Sequence, residues 1–339
     1  MDGAEAAASA TLETLRRSPA GFRPFLATAG GHRQTLLGYW LRRRLGWPLP
    51  VEELIVESEP GVKLLVRATW QPGPREARPA LVIVHGLGGS DHSAYVLSTG
   101  SYAYARGWHV LRANMRGAGD GEALCARLYN AGLDADLMAV LQHTAALVPR
   151  LAVVGFSLGG NLTLLAAGRR RADLPAGVRG LAAVSTPLDL AACADALERP
   201  DNTLYEYYFM RSLVAAYRRR QARLPEMYEA GRERRVRTVR AFDEQITAPY
   251  GGYRDAAEYY ARSSSGPFLA SIDRPTLILN AADDPMVPVA STQHWPLPAS
   301  GVVIREVTPT GGHVGFVGPA HAPGRFWAAE RFLDFLEQA

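Results

Sequence analysis

The chain has 339 residues, 47% of them hydrophobic, which suffices for one large domain with an insertion. Its two cysteines, Cys125 and Cys193, exclude a disulfide scaffold, and no Cys/His spacing points to zinc or another metal. The formal charge of +4 rests almost wholly on arginine, with Lys63 the single lysine; the arginines alternate with acids and form no basic block with interleaved aromatics, so no nucleic-acid partner is expected.

The opening stretch MDGAEAAASATLETLRRSPAG carries acids inside its apolar part. It reads as a tail or frayed helix, not as a signal peptide. Residues 1–50 are expected to form an N-terminal helical extension. No window approaches the ~18 uncharged apolar residues of a membrane span. No integral membrane segment and a cytoplasmic location are therefore expected.

VEELIVES and VKLLVRATW, parted by the turn EPG, predict an antiparallel strand pair. Six further short strands are predicted: Ala80–Val84, His109–Asn114, Leu151–Phe156, Gly180–Ser185, Thr276–Asn280 and Val302–Val307. Helical periodicity lies between most of them, over Tyr95–Arg106, Asp134–Val148, Leu158–Arg171 and His321–Leu336. Continuous apolar strands alternating with helices predict an α/β fold, with a mostly parallel sheet of about eight strands covered on both faces. The rhythm breaks between Pro187 and Pro275, where no strand is predicted. The core is thus expected over 51–186 and 271–339, with a helical cap insertion over 187–270, above the strand ends where open α/β sheets hold ligands.

Gly155-Phe156-Ser157-Leu158-Gly159 fits G-x-S-x-G where a predicted strand meets a predicted helix. A tight, strained corner lifts the serine hydroxyl clear of the sheet, and flanking side chains would collide there. A nucleophilic serine needs a base, and the base an orienting acid, in the chain order Ser, Asp or Glu, His for this kind of corner. Three histidines follow Ser157. His313 stands in the glycine-rich loop TPTGGHVGF just past the last strand, whereas His294 and His321 read as surface or packing residues. Asp283 and Asp284 both follow a strand in LILNAADDPMVP. Asp284 is taken as the acid, four residues before Pro288, and Asp283 as a turn residue that bonds local backbone.

The oxyanion formed in acyl transfer needs two amide donors. Leu158 follows the serine, and Leu87 lies in HGLGGSDHSAYV after the third strand, where Gly86, Gly88 and Gly89 allow close approach. His85 reads as a loop-stabilising hydrogen bonder. GLGGSD lacks the third glycine of a dinucleotide fingerprint, and the following strand ends in Asn114 rather than an acid. RGAGDG (116–121) shares that weakness and reads as a turn near the site mouth.

Together these residues resemble the α/β-hydrolase superfamily, and more narrowly its YheT-like branch, which includes membrane-anchored relatives. The resemblance runs from about Phe22 onward. It rests on GGHRQTLLGYWLRR with its His-x-Gln-Thr stretch, HGLGGSDHSAYV, NMRGAG, GFSLGGN, FDEQITAPYGGYRDAAEYYARSS, NAADDPMVP and GGHVGF. It implies Ser157 as nucleophile, Asp284 as orienting acid, His313 as base, and hydrolysis of carboxylic esters without a cofactor. A small-molecule ester or a lipid is the implied substrate. Gly86, Tyr208 and Phe209 are the expected substrate contacts. Ten arginines against four acids between Glu206 and Arg240 suit a solvated helical face, the simpler reading, or a peripheral contact with anionic head groups.

Overall fold

In the computed structural model, which describes residues 21–25, 30–42, 45–319 and 325–339, the apolar runs pair into one sheet. The strands are β1 (Glu52–Glu59), β2 (Val62–Thr69), β3 (Ala80–Val84), β4 (His109–Ala113), β5 (Leu151–Phe156), β6 (Val178–Val184), β7 (Thr276–Ala281) and β8 (Val303–Thr308). Their order is β1-β2-β4-β3-β5-β6-β7-β8. The two N-terminal strands pair antiparallel, and β2 joins β4 antiparallel; every other pairing is parallel. Each expected strand is present, with ends that match or differ by at most two residues.

Side-chain alternation divides the core in two. Leu81, Ile83, Ala152, Val154 and Phe156 face one side, with Val96 of α2 (Ala94–Ala105) and Phe332 and Leu333 of the C-terminal helix α8 (Trp327–Gln338). Val82, Val84 and Val153 face the other side, with Leu137 and Leu141 of α3 (Asp134–Leu147) and Leu162 of α4 (Leu158–Arg169). β3 and β5 are buried along their whole length. That is why their sequences show no polar alternation. Each fully buried Leu, Ile or Phe contributes roughly 1.5–3 kcal/mol of transfer free energy.

Helix α1 (Gly31–Arg42) lies within the expected N-terminal extension. The first twenty residues lie outside the described residues, as does His321, so the expected start of the last helix falls there too. Among the described residues, no strand falls between β6 and β7. That segment carries α5 (Leu190–Leu197), α6 (Thr203–Arg223), a broken run over 239–251 with one π-helical turn at Asp243–Thr247, and α7 (Ala256–Ser263). It has an apolar cluster of its own, including Tyr217, Tyr228, Phe242 and Ile246. No helix of the described residues is long and apolar enough to cross a membrane.

β3 ends at Val84, and His85 ties its turn to the turn after β4. The ring is fully buried. Its Nε2 accepts the Met115 N–H at 3.1 Å, and its Nδ1 lies 2.8 Å from the Gly86 carbonyl, to which the Nδ1–H donates. A doubly protonated ring could not accept from Met115. Burial pulls its pKa from 6.5 down to about 4, against the opposing bond to Gly86. The unfolded chain takes up this proton near pH 6.5, but the folded chain only near 4. Stability is therefore full above pH 6.5 and is lost as pH falls through that window, by about 3 kcal/mol for this one group. Denaturant unfolding at pH 7 and pH 4 is expected to show wild type losing about that much more than His85→Gln; equal losses would contradict the assignment.

Candidate active site

β5 delivers the chain to Ser157, and α4 carries it away. Ser157 has φ 53° and ψ −120°, a left-handed conformation for a residue with a Cβ. Such a residue costs of order 1–3 kcal/mol and persists only where its surroundings hold it. Its N–H donates to the Val184 carbonyl at 2.9 Å, and its carbonyl accepts from the Asn161 N–H at 3.0 Å. The glycines follow from crowding. A Cβ on Gly155 would lie 2.2 Å from the Gly159 oxygen, and one on Gly159 would lie 2.4 Å from the His85 oxygen.

Three side chains distant in sequence meet at this corner. The Ser157 hydroxyl lies 3.0 Å from His313 Nε2. His313 Nδ1 lies 2.9 Å from Asp284 Oδ2 and 3.2 Å from Oδ1. Asp284 is buried, and its Oδ1 also accepts from the Met286 and Val287 N–H groups at 2.9 and 3.0 Å. The neighbouring acid has a different task. Asp283 accepts from the Gly312 N–H at 2.9 Å and from the Thr310 hydroxyl at 2.5 Å, bonding the loop that carries His313. His294 is exposed behind the turn Ala290–Gln293, with Nδ1 3.3 Å from the Ala290 oxygen.

The His313 loop is strained, and α1 holds it. Val314 and Phe316 have φ of 58° and 46°. Thr35 Oγ1 accepts the His313 N–H at 2.8 Å. Gln34 pairs with Val317 in both directions, accepting its N–H at 2.7 Å and donating to its carbonyl at 3.3 Å. The buried Arg42 donates to the Val314 and Gly315 carbonyls at 2.7 and 3.2 Å, and sits 3.8 Å above the Phe326 ring. Burial lowers the pKa of this guanidinium to about 9. Sequence reasoning did not find Gln34, Thr35 and Arg42 as site residues. The signal was present: Gln34, Gly38 and Arg42 at four-residue intervals mark one helical stripe, and all three are buried.

Facing the serine is the turn after β3. The Gly86 carbonyl accepts from the Gly89 N–H at 3.1 Å, with Gly88 at φ 68°, the geometry of a type II turn with Leu87 at its second position. A Cβ on Gly86 would lie 3.1 Å from that of Ser157, so the turn abuts the serine. Leu158 opens α4, and its amide has no intrahelical acceptor. It lies at the positive end of the helix dipole.

Leu87 and Leu158 line an open, mainly apolar cavity of about 640 Å³, together with Ser157, His313, Leu197, Phe209 and Met286. Phe209 thus stands where expected. Tyr208 and Gly86 do not line the cavity. Successive residues point about 100° apart on a helix, so with Phe209 turned inward Tyr208 is 53% exposed and packs edge-on against Tyr39. Gly86 has both backbone groups engaged: its N–H donates to the Tyr95 hydroxyl at 2.7 Å, and its carbonyl faces His85 and Gly89. Cys193, buried in the cavity wall, has its thiol pKa raised by desolvation, and it is unpaired, as is Cys125. Among the described residues, no group of three His, Cys, Asp or Glu could hold a metal ion.

Known proteins bear out the fold and the branch. A family model described as the alpha/beta hydrolase fold matches residues 79–319. YheT of Escherichia coli (strain K12), by name a candidate esterase, is 33% identical over 94% of this chain and 94% of its own. Phospholipase ABHD3 of Mus musculus is 29% identical over 71% of this chain; the match spans 59% of that relative's length. Among solved structures, the Pyrococcus furiosus esterase Pf2001 superposes with a TM-score of 0.56 at 15% identity, covering 86% of this chain and 93% of that one. The chain therefore belongs to the α/β-hydrolase family, on its YheT-like branch, among esterase-named hydrolases.

Proposed function

We propose that the protein cleaves carboxylic esters through an acyl-enzyme intermediate on Ser157. The observation that carries this reading is the unbroken hydroxyl–imidazole–carboxylate chain, 3.0 Å and then 2.9 Å, whose serine and histidine line an apolar cavity. The buried Asp284 carboxylate keeps the proton on His313 Nδ1 and leaves Nε2 free to accept. As the Ser157 oxygen attacks the ester carbonyl carbon, His313 takes the hydroxyl proton. The Leu87 and Leu158 amides donate to the oxyanion that forms. When the carbonyl is restored, the carbon–oxygen bond to the alcohol breaks, and His313 gives its proton to that oxygen. Water then enters, gives a proton to His313 and releases the acid in the reverse sequence.

A lipid acyl ester is the favoured form of substrate. Two observations support it: the cavity walls are largely apolar, and a relative carries the name phospholipase. On this reading α1 is a positioning element. Its Arg42 donates to the Val314 and Gly315 carbonyls within the strained turn that aims His313, and its Thr35 hydroxyl oxygen accepts the His313 N–H.

Ser157→Ala is expected to lower kcat on a short-chain p-nitrophenyl ester by about 10⁴-fold or more and to abolish labelling by a fluorophosphonate. Labelling equal to wild type would overturn the assignment. Arg42→Met leaves the part-buried Val314 and buried Gly315 carbonyls without this donor, a loss of roughly 1–3 kcal/mol in the loop. It is expected to lower kcat about tenfold or more with little change in KM, and Arg42→Lys is expected to recover part of that loss. A change confined to KM would contradict a positioning role.

A further inference from the structure

A second cavity opens on the other side of the Leu87–Leu158 wall. It encloses about 740 Å³ and is lined from α6 by Ser212, Ala216 and Arg220, three positions four residues apart on one helical stripe. The two cavities share Leu87, Leu158, Asp243 and Tyr259. A carbonyl seated over Ser157, with its oxygen toward the shared amides, would send one arm of the ester into each.

The two cavities differ in chemistry. The first is walled mainly by apolar side chains, among them Leu197, Phe209 and Met286, besides the shared Asp243 and Tyr259. The second holds a buried guanidinium. Arg220 is 1% exposed. Its Nη2 donates to the Gly117 carbonyl at 3.3 Å, and among the described residues its Nε has no hydrogen-bond partner and no carboxylate forms an ion pair with it. Glu122, an acid of the same cavity wall, is paired at 2.9 Å with Arg219 instead. The place for the guanidinium is built in: Gly117 has φ 64°, and a Cβ there would lie 2.1 Å from Arg220 Nη2. Removal from water draws the Arg220 pKa down. A buried cation without an anion is costly, and such sites are ordinarily completed by a counter-charge. Asp243, the other acid of the cavity, is occupied by the Tyr260 hydroxyl at 2.8 Å, and burial raises its pKa to about 6.

We propose that the second cavity is the alcohol-arm subsite, and that Arg220 binds an oxyanion on that arm, a phosphate or a carboxylate, while the Ser212 hydroxyl lines the same cavity about two helical turns away. The acyl chain then occupies the apolar cavity. The inference rests on the ester-hydrolase reading for its orientation, but its binding step can be read without turnover. Guanidinium recognises either oxyanion through paired N–H donors, which an ammonium cannot reproduce in the same plane.

The test has two arms. In the first, Ser157→Ala protein is titrated calorimetrically with glycerol 3-phosphate, glycerate, glycerol and inorganic phosphate. At least one of the two charged glycerol derivatives is expected to bind tenfold or more tightly than glycerol. The added substitution Arg220→Gln is expected to erase that difference. Inorganic phosphate binding as tightly as glycerol 3-phosphate, or no preference for either charged compound, would overturn the proposal.

The second arm uses the unaltered protein, so it stands even where Arg220→Gln does not fold. kcat/KM for 1-butyrylglycerol 3-phosphate or for the butyryl ester of glycerate is expected to exceed that for 1-butyrylglycerol by tenfold or more. Equal values for all three would overturn the subsite alone, since Ser157-dependent hydrolysis would remain. No hydrolysis of any ester would overturn the ester-hydrolase reading instead, and the titration would then still report whether the cavity holds an oxyanion.

Discussion

The site depends on one backbone constraint: Ser157 must hold a left-handed conformation between a buried parallel strand and a buried helix. A residue with a Cβ adopts that state only when the alternatives are worse. Here they are worse because β5 is fixed between β3 and β6, and α4 is pressed onto the same sheet. Relaxing the corner would move one or the other. The cost of the strained residue is therefore carried by the whole apolar core. The same crowding accounts for Gly155 and Gly159, whose absent side chains let the helix start against the strand ends.

The opposite wall of the site obeys a related constraint. The His313 loop turns through two further left-handed residues, Val314 and Phe316. It has no helix or strand of its own to fix it. Side chains serve instead: Ser185 from the end of β6, Asp283 from the loop after β7, and Gln34, Thr35 and Arg42 from α1. Adjacent acids divide the work. Asp284 meets the imidazole, and Asp283 meets the loop that aims it. Neighbouring side chains on an irregular backbone point in different directions, so one dipeptide can serve two partners.

The sequence was most legible where local pattern and tertiary demand agree. Leu151–Phe156 is a short apolar run ending at a glycine-flanked serine, and it forms the strand expected of it. The placing of Ser157, Asp284 and His313 within hydrogen-bond reach was anticipated from their order and their strand-end positions. Tyr208 does not line the cavity: a run of aromatics does not state which ring turns inward, helical phase does, and it favours Phe209. The contacts of Arg42 were hidden for another reason. In sequence it is one of three successive arginines, and nothing local marks it as a charge taken out of water. Only the stripe it shares with Gln34 and Gly38 carried that information.

The hydrogen bond between Thr35 and His313 spans 278 residues of sequence, and those of Arg42 span 272 and 273. Contacts of such reach carry a large loop-closure entropy when formed early, and form at low cost only after the intervening sheet has drawn the two segments together. On a ribosome the helix emerges long before its partner loop exists. The imidazole can then be aimed only as one of the last events of folding, so an unfinished chain can hold a formed serine corner and still lack the imidazole beside it.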